Sequence, residues 1–253
     1  MDKTSIAITG TGISFLHSEE AEQFGFNGCD MESTLLPAKL KRRTSKATRM
    51  AFAAAQRACQ HAAIAPPELP VIFVSSLGEL AVTDRLCMDI AQQRFPISPT
   101  QFHNSVHNTA SGYWSIAVGN THPAMAMAAY QDGFALALLE AWSQLQCVTD
   151  KLLLVCYEEE LPQRMLANNH WLACATAFVL SRAPNQSNAM TLSLPTCETT
   201  THPAIDYRAC SPALASQPLL TALHQRQSGR VHLSPQADAT WFTELAISRV
   251  SAP

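Results

Sequence analysis

Apolar positions along this chain fall into two alternating patterns, short continuous runs and longer stretches with helical spacing. The runs are SIAITGTGI (Ser5–Ile13), LPVIFVS (Leu69–Ser75), KLLLVCY (Lys151–Tyr157) and WLACATAFVLSR (Trp171–Arg182). Continuous apolar character bounded by Gly, Pro or charge predicts strands covered on both faces. Ala124–Ala129, entered through Pro123, is a shorter run that reads as a buried strand, and Ala189–Leu194 is a weaker one. Between the runs, Ser45–Ala63 sets Ala47, Met50, Ala51, Ala54, Ala58 and Ala62 at helical spacing. So many alanines on one face predict close approach of a neighbouring element. Glu79–Gln93 carries Leu80, Thr83, Leu86, Cys87 and Ile90 on one side, while Phe134–Leu145 and Pro212–Gln227 read as further helices. Phe15–Leu36 has no clear period and reads as a loop or insertion. Strands alternating with helices over the first 180 residues predict an α/β fold with a sheet covered on both faces.

The stretch from Phe102 to Trp142 packs several signals together. Asn108 or Thr109 is placed to cap a helix over Ala110–Val118, and Gly119-Asn120 to end it. The apolar run follows, then a sharp turn at Gln131-Asp132-Gly133, then the Ala/Leu-rich helix. A strand, tight turn and buried helix form an elbow of the kind that presents a nucleophile, because the turn lifts one side chain above the sheet. A thiol there would be activated by the helix N-terminus. This chain places Tyr130, Gln131 and Asp132 at the elbow; none is a cysteine or serine, and an amide such as that of Gln131 cannot attack a thioester.

Composition changes the picture in a few places. A chain of 253 residues with 47% apolar residues can bury a sizeable core, as one large domain or two small ones. The net charge of −3 and the lack of a long basic run argue against a nucleic-acid partner. Lys39, Lys41, Arg42, Arg43, Lys46 and Arg49 form one basic cluster, either a solvated helix entry or a dock for an acidic partner. The eight cysteines form no CxxC pair, several lie in apolar runs, and Met1–Gly10 is no signal peptide, so a reduced, cytoplasmic protein is expected. No run is long enough to span a membrane. Gly10-Thr11-Gly12 lacks the continuation of a phosphate loop, so no cofactor is expected. His103 and His107 are i,i+4 without a third ligand, so no metal is expected either. Glu158–Glu160 reads as a solvated loop at a strand end.

The run SPTQFHNSVHNTASGYWSIAVGNTHPAMAMAAYQDGFALAL resembles the N-terminal half of β-ketoacyl synthases, where a small-residue helix, a strand and the nucleophile elbow follow in this order. ITGTGIS, RRTSKATRMAFAAAQRA, VIFVSSLGEL and ACATAFVLSR resemble further elements of that family, so the likeness covers most of residues 4–182. It is similar above all to chain-length-factor subunits of aryl-polyene and other type II polyketide systems. The resemblance implies a thiolase-like α/β fold, a mixed sheet layered with helices, with the C-terminal half truncated. It implies a ketosynthase-like N-terminal domain over 1–182 and a short C-terminal remnant over 183–253 packing on it. Gln131 falls at the family's catalytic cysteine, with Tyr130 the competing assignment. The two catalytic histidines have no counterpart, since His202, His224 and His232 have the wrong neighbours. The implied function is a non-catalytic chain-length-factor-like subunit in polyketide or fatty-acid-like biosynthesis. A complete ketosynthase would be its heterodimer partner, and acyl carrier protein would be met through the complex. Gln101, Phe102, Tyr113 and Trp114 would border the acyl tunnel. Ala124, Met125, Ala126, Met127 and Ala128 would lie at the two-fold interface. Two other readings stay open: an independent acyltransferase or hydrolase using Ser75, Ser76 or Ser111, and a structural relic that only stabilises its partner.

Overall fold

The computed structural model describes residues 5–23, 25–26, 30–165, 172–182, 189–198, 211–233 and 240–247. In chain order the elements are β1 (Ile6–Phe15), α1 (Ser18–Gln23), α2 (Ala38–Lys41), α3 (Lys46–His61), β2 (Val71–Val74), α4 (Leu80–Ala91), α5 (Pro99–Asn104), α6 (Thr109–Val118), β3 (Ala124–Met127), α7 (Gly133–Cys147), β4 (Lys151–Glu158), β5 (Cys174–Ser181), β6 (Met190–Leu192), β7 (Thr196–Glu198), α8 (Gln217–His224), β8 (Gly229–His232) and β9 (Thr240–Ile247). The strands form one mixed sheet in the order β3-β2-β4-β5-β1-β6-β9-β7, with β8 also paired to β9. β2 runs parallel to β3 and β4, and the pairings from β4 onward are antiparallel.

Two helical layers cover the sheet. On one face, α3 and α6 bury Met50, Phe52 and Trp114 against Phe73, Val155 and Ala177. On the other, α7 and the Pro212–His224 segment bury Phe134, Leu138 and Leu219 against Ile72, Leu154 and Phe178. The continuous apolar runs are explained by this double cover, and all eight residues of β5 are buried. The alanine face of α3 meets β1 where the strand has glycines. A Cβ on Gly10 would lie 2.2 Å from the carbonyl oxygen of Ala58, and one on Gly12 would lie 2.1 Å from that of Ala54. The Gly-Thr-Gly sequence therefore serves helix–strand contact, not a phosphate loop. Ser45 caps α3 by accepting from the Thr48 amide at 3.0 Å.

Several expectations are corrected. Phe15–Leu36 is not all loop, because β1 continues to Phe15 and α1 follows. Asn108 stands at the start of α6 but makes no side-chain cap; Thr109 Oγ1 turns back instead to the carbonyls of Asn104 and Val106. Gly119 does end α6, in the left-handed conformation at φ 68°. The run at Ala124–Ala129 is a four-residue edge strand, half to fully exposed rather than buried. β7, β8 and β9 carried no clear pattern. They are short or half-polar strands assembled by long-range pairing, which leaves little local trace.

Candidate functional site

The carboxyl ends of the three parallel strands β3, β2 and β4 lie side by side, with Val74 opposite both Met127 and Cys156. The residues just beyond, Ser75-Ser76, Ala128–Asp132 and Glu158-Glu159, therefore converge, at the kind of edge where open α/β sheets place their sites. The elbow is a single 3-10 turn, Tyr130–Asp132, closed by the Asp132 amide donating to the Ala129 carbonyl at 3.1 Å. Tyr130 has φ 46°, a strained conformation for a residue with a side chain, and is 58% exposed. α7 starts at Gly133, where a Cβ would press on Val74 at 3.4 Å, and then runs through the core along Phe134, Ala137, Leu138, Ala141 and Leu145. The turn, the strained residue and the buried helix are the parts of an elbow, without a cysteine or serine on it.

Behind the elbow lies a buried polar corner. Glu158 is 1% exposed and accepts from the Ser76 amide at 2.5 Å and from Ser75 Oγ at 3.1 Å. Ser75 Oγ also accepts from the Gly78 amide at 2.8 Å, and Ser76 Oγ donates to the Tyr130 carbonyl at 2.6 Å. His107 Nε2 lies 2.9 Å from the Ser75 carbonyl. Glu159 accepts from the Ala81 amide at 2.5 Å, and Glu79 accepts from Thr48 Oγ1 at 2.5 Å. Of the acidic run only Glu160 is solvated; Glu158 and Glu159 are buried. Burial pushes the carboxyls of Glu158 and Glu159 up to about 7 despite the hydrogen bonds they accept, and raises Glu79 as well. A sequence signal was available, since the acids directly follow a continuous apolar strand on the ligand-bearing edge.

The residues expected at the tunnel divide into two kinds. Trp114 is fully buried between Phe52 and Phe73, with ring centroids 5.1 and 6.1 Å away, and its Nε1 finds no acceptor. Tyr113 is buried and donates to Asn104 Oδ1 at 2.9 Å, while Asn104 Nδ2 donates to the Arg43 carbonyl at 2.5 Å. Phe102 instead stands 68% exposed on α5, beside half-buried Gln101. The strand expected at the interface is the first in the sheet, so its outer edge is open among the described residues. Met125 is 36% exposed there, Ala124 and Ala128 are exposed, and Ala126 and Met127 are half-buried. The apolar stripe of α4 is only partly covered, with Leu80 and Thr83 half-buried and Cys87 exposed. Only Leu86 is buried, while Met88 and Ile90, with Phe95 and Val106 nearby in sequence, are exposed.

Other candidates stand apart from this corner. His103 lies by Asn104, and His107 by Ser75, so the i,i+4 pair is not brought to one point. His17, Glu20 and Glu160 do place ligand atoms within 4.8 Å of one another, at the surface. In the basic cluster Lys41 pairs with Glu32 and Arg49 donates to the Lys41 carbonyl, which leaves Lys39, Arg42, Arg43 and Lys46 exposed. A cleft of about 1190 Å³ lies between β1, the end of α3 and α8. Its guanidiniums at Arg57 and Arg182 are bound to backbone carbonyls. Cys59, Cys87, Cys147, Cys156, Cys174 and Cys197 are free thiols. Among the described residues no helix is long and apolar enough to cross a membrane.

A mixed sheet between two helical layers, with a strained elbow feeding a buried helix at the ends of its parallel strands, defines the thiolase-like fold of ketosynthases. Residues 17–241 match the family model for the β-ketoacyl synthase N-terminal domain, and the chain belongs to that family. A structure of the ketosynthase ApeO in complex with its chain length factor ApeC, from Xenorhabdus doucetiae, superposes with a TM-score of 0.71 at 22% identity, covering 95% of this chain and 99% of that chain. The ishigamide ketosynthase/chain length factor gives 0.71 at 12% identity over 96% and 99%. AntDE:AntF, a type II polyketide carrier protein in complex with its ketosynthase, gives 0.72 at 9% identity over 97% and 99%. At these identities the likeness is one of fold. No curated protein matches the sequence.

Proposed function

We propose that this chain is a non-catalytic, chain-length-factor-like subunit that pairs with a complete β-ketoacyl-carrier-protein synthase in a polyketide system. The observation that carries the reading is the elbow itself. Its backbone is strained as a nucleophile's would be, but Tyr130 and Gln131 occupy it, and the edge strand leading into it leaves Met125 exposed. A condensing enzyme needs a thiolate at that point, and nothing at the elbow can form one. The strained φ supports Tyr130 over Gln131 as the residue at the nucleophile's position. An open strand edge with apolar side chains is an invitation to pairing, so β3 and the Ala128 that follows it are assigned to the interface with the ketosynthase. The partner supplies cysteine and histidines.

Gln101 and Phe102 are the residues of this chain that reach the shared tunnel, with Tyr113 tying α6 to Asn104 of α5 and Trp114 fixing α6 on Phe52 and Phe73. Acyl carrier protein is met through the complex. The hydrolase alternative has less support, because Ser75 Oγ and Ser76 Oγ are spent on Glu158 and the Tyr130 carbonyl, and Ser111 Oγ on the Asn108 carbonyl. The test is reconstitution with a ketosynthase and carrier-protein thioesters. The chain alone is expected to give no condensation product, and the pair to give elongated acyl chains. Turnover by the chain alone would refute the reading.

A further inference from the structure

The hydrogen bonds behind the elbow form one continuous path. Glu158 Oε1 accepts from the Ser76 amide, Ser76 Oγ donates to the Tyr130 carbonyl, and Glu158 Oε2 accepts from Ser75 Oγ, which in turn accepts from the Gly78 amide. We propose that Glu158 is the positioning residue for the elbow: its carboxyl group fixes the Ser75–Ser76 corner, and Ser76 fixes the backbone of Tyr130. The proposal rests on the pairing reading in that the elbow then faces the ketosynthase, so Glu158 sets the shape of a surface that it does not touch.

Three observations support it. The strained φ of Tyr130 must be held by something outside the turn, and the Ser76 hydroxyl is a hydrogen bond reaching its carbonyl from another strand end. Glu158 is buried, and among the described residues no ion pair reaches it, so it is no part of a surface salt-bridge network. A carboxylate is a costly acceptor to bury where an amide would serve, and its cost makes the corner sensitive to ionisation. The groups facing it are Glu159, Tyr157 and Cys156 on β4, Cys174 on β5 and Glu79 before α4, with His107 on the far side of Ser75. None brings a fixed positive charge. A proton on Oε2 can reverse the Ser75 hydrogen bond and leave Oε1 free to hold the Ser76 amide. The neutral acid therefore keeps the corner closed. Above neutrality the carboxylate lies unsolvated beside the carboxyl of Glu159, and the corner loosens.

Hydrogen exchange of the complete chain between pH 6 and 8.5, corrected for the intrinsic pH dependence, tests this in peptides spanning 128–134 and 75–81. In the wild type both are expected to lose protection as pH rises through about 7, together. Glu158→Gln keeps an acceptor for the Ser76 amide. It should match the low-pH wild type and lose most of the pH response. Glu158→Ala should speed exchange in both peptides about tenfold at every pH. Ser76→Ala should free 128–134 alone and leave 75–81 with its pH response. Affinity for the ketosynthase should follow the 128–134 peptide, falling about tenfold in Glu158→Ala and recovering in Glu158→Gln. The proposal is overturned if Glu158→Gln behaves as Glu158→Ala, if 128–134 is unaffected by either, or if exchange rises equally across β4 and β5. A wild-type chain that binds no ketosynthase would sink the pairing reading, and the exchange pattern would still decide the role of Glu158.

Discussion

β5 and β3 are strands of the same sheet, both made of small and apolar residues, and they have opposite fates. β5 lies between β4 and β1 under helices on both faces, and every one of its eight residues is buried. Among the described residues β3 has one partner strand, and its first two residues, Ala124 and Met125, are exposed. An apolar strand inside a sheet is accounted for by the core. The same composition on an open edge is a liability unless something covers it. The contrast extends to the helices, since α3 buries ten of its residues and α4 buries Leu86 alone. Among the described residues one side of the molecule is closely covered; the other, from α4 through β3 to the elbow, leaves apolar side chains exposed, which is the side the proposed pairing would cover.

A charge on the open edge should break this contrast most sharply. Met125→Glu is expected to weaken binding to the ketosynthase more than 100-fold while leaving the melting temperature of the isolated chain almost unchanged, because exposed substitutions rarely move stability by more than about 0.5 kcal/mol. An analytical ultracentrifuge series with a parallel melt measures both. Equal binding by the variant would place the interface elsewhere.

The second comparison sets Trp114 against Phe102. Trp114→Ala empties a fully buried site between Phe52 and Phe73 and should cost about 3–5 kcal/mol. Phe102→Ala removes an exposed ring and should change stability by less than about 0.5 kcal/mol. In the assembled complex, Phe102→Ala should lengthen the products seen by mass spectrometry, normalised to the amount of complex. If products keep their wild-type length, Phe102 belongs to the contact surface and not to the tunnel.

Much of the fold was legible because the inner half of the sheet obeys local rules. The double-sided strands read as unbroken apolar runs, and the alanine face of α3 predicted a close neighbour, which proved to be Gly10 and Gly12 of β1. The candidate site was less legible. Glu79 lies far in sequence from the adjacent pair Glu158-Glu159 and comes near it only when the parallel strands β2 and β4 end together, so a run of acids read alone looks solvated. Burial of Ala124–Ala129 was misjudged for a related reason. Composition tells an apolar strand but not whether it stands inside a sheet or at its rim. Residues 1–4, 24, 27–29, 166–171, 183–188, 199–210, 234–239 and 248–253, including His202 and part of the expected Trp171–Arg182 strand, lie outside the described residues.

A smaller effect follows from the buried acids. Glu158 and Glu159 hold their protons to about 7 in the folded chain, whereas exposed carboxyls in the unfolded chain release theirs near 4.5. The folded state therefore binds more protons over that interval, and stability falls as pH rises from about 4.5 through about 7 and then levels. Melting temperatures should drop by several degrees between pH 5.5 and 8, and Glu158→Gln should flatten the profile and melt higher than wild type at pH 8. A flat wild-type profile would mean that the two carboxylates are better solvated than their burial implies.

The central claim, that the open side is completed by a ketosynthase, is tested most directly by light scattering on the chain co-expressed with an intact ketosynthase from a chain-length-factor system. A one-to-one complex is predicted, with Met125 and the α4 stripe protected from hydrogen exchange on assembly. A monodisperse monomer whose mass and exchange pattern do not change when the ketosynthase is added would contradict it.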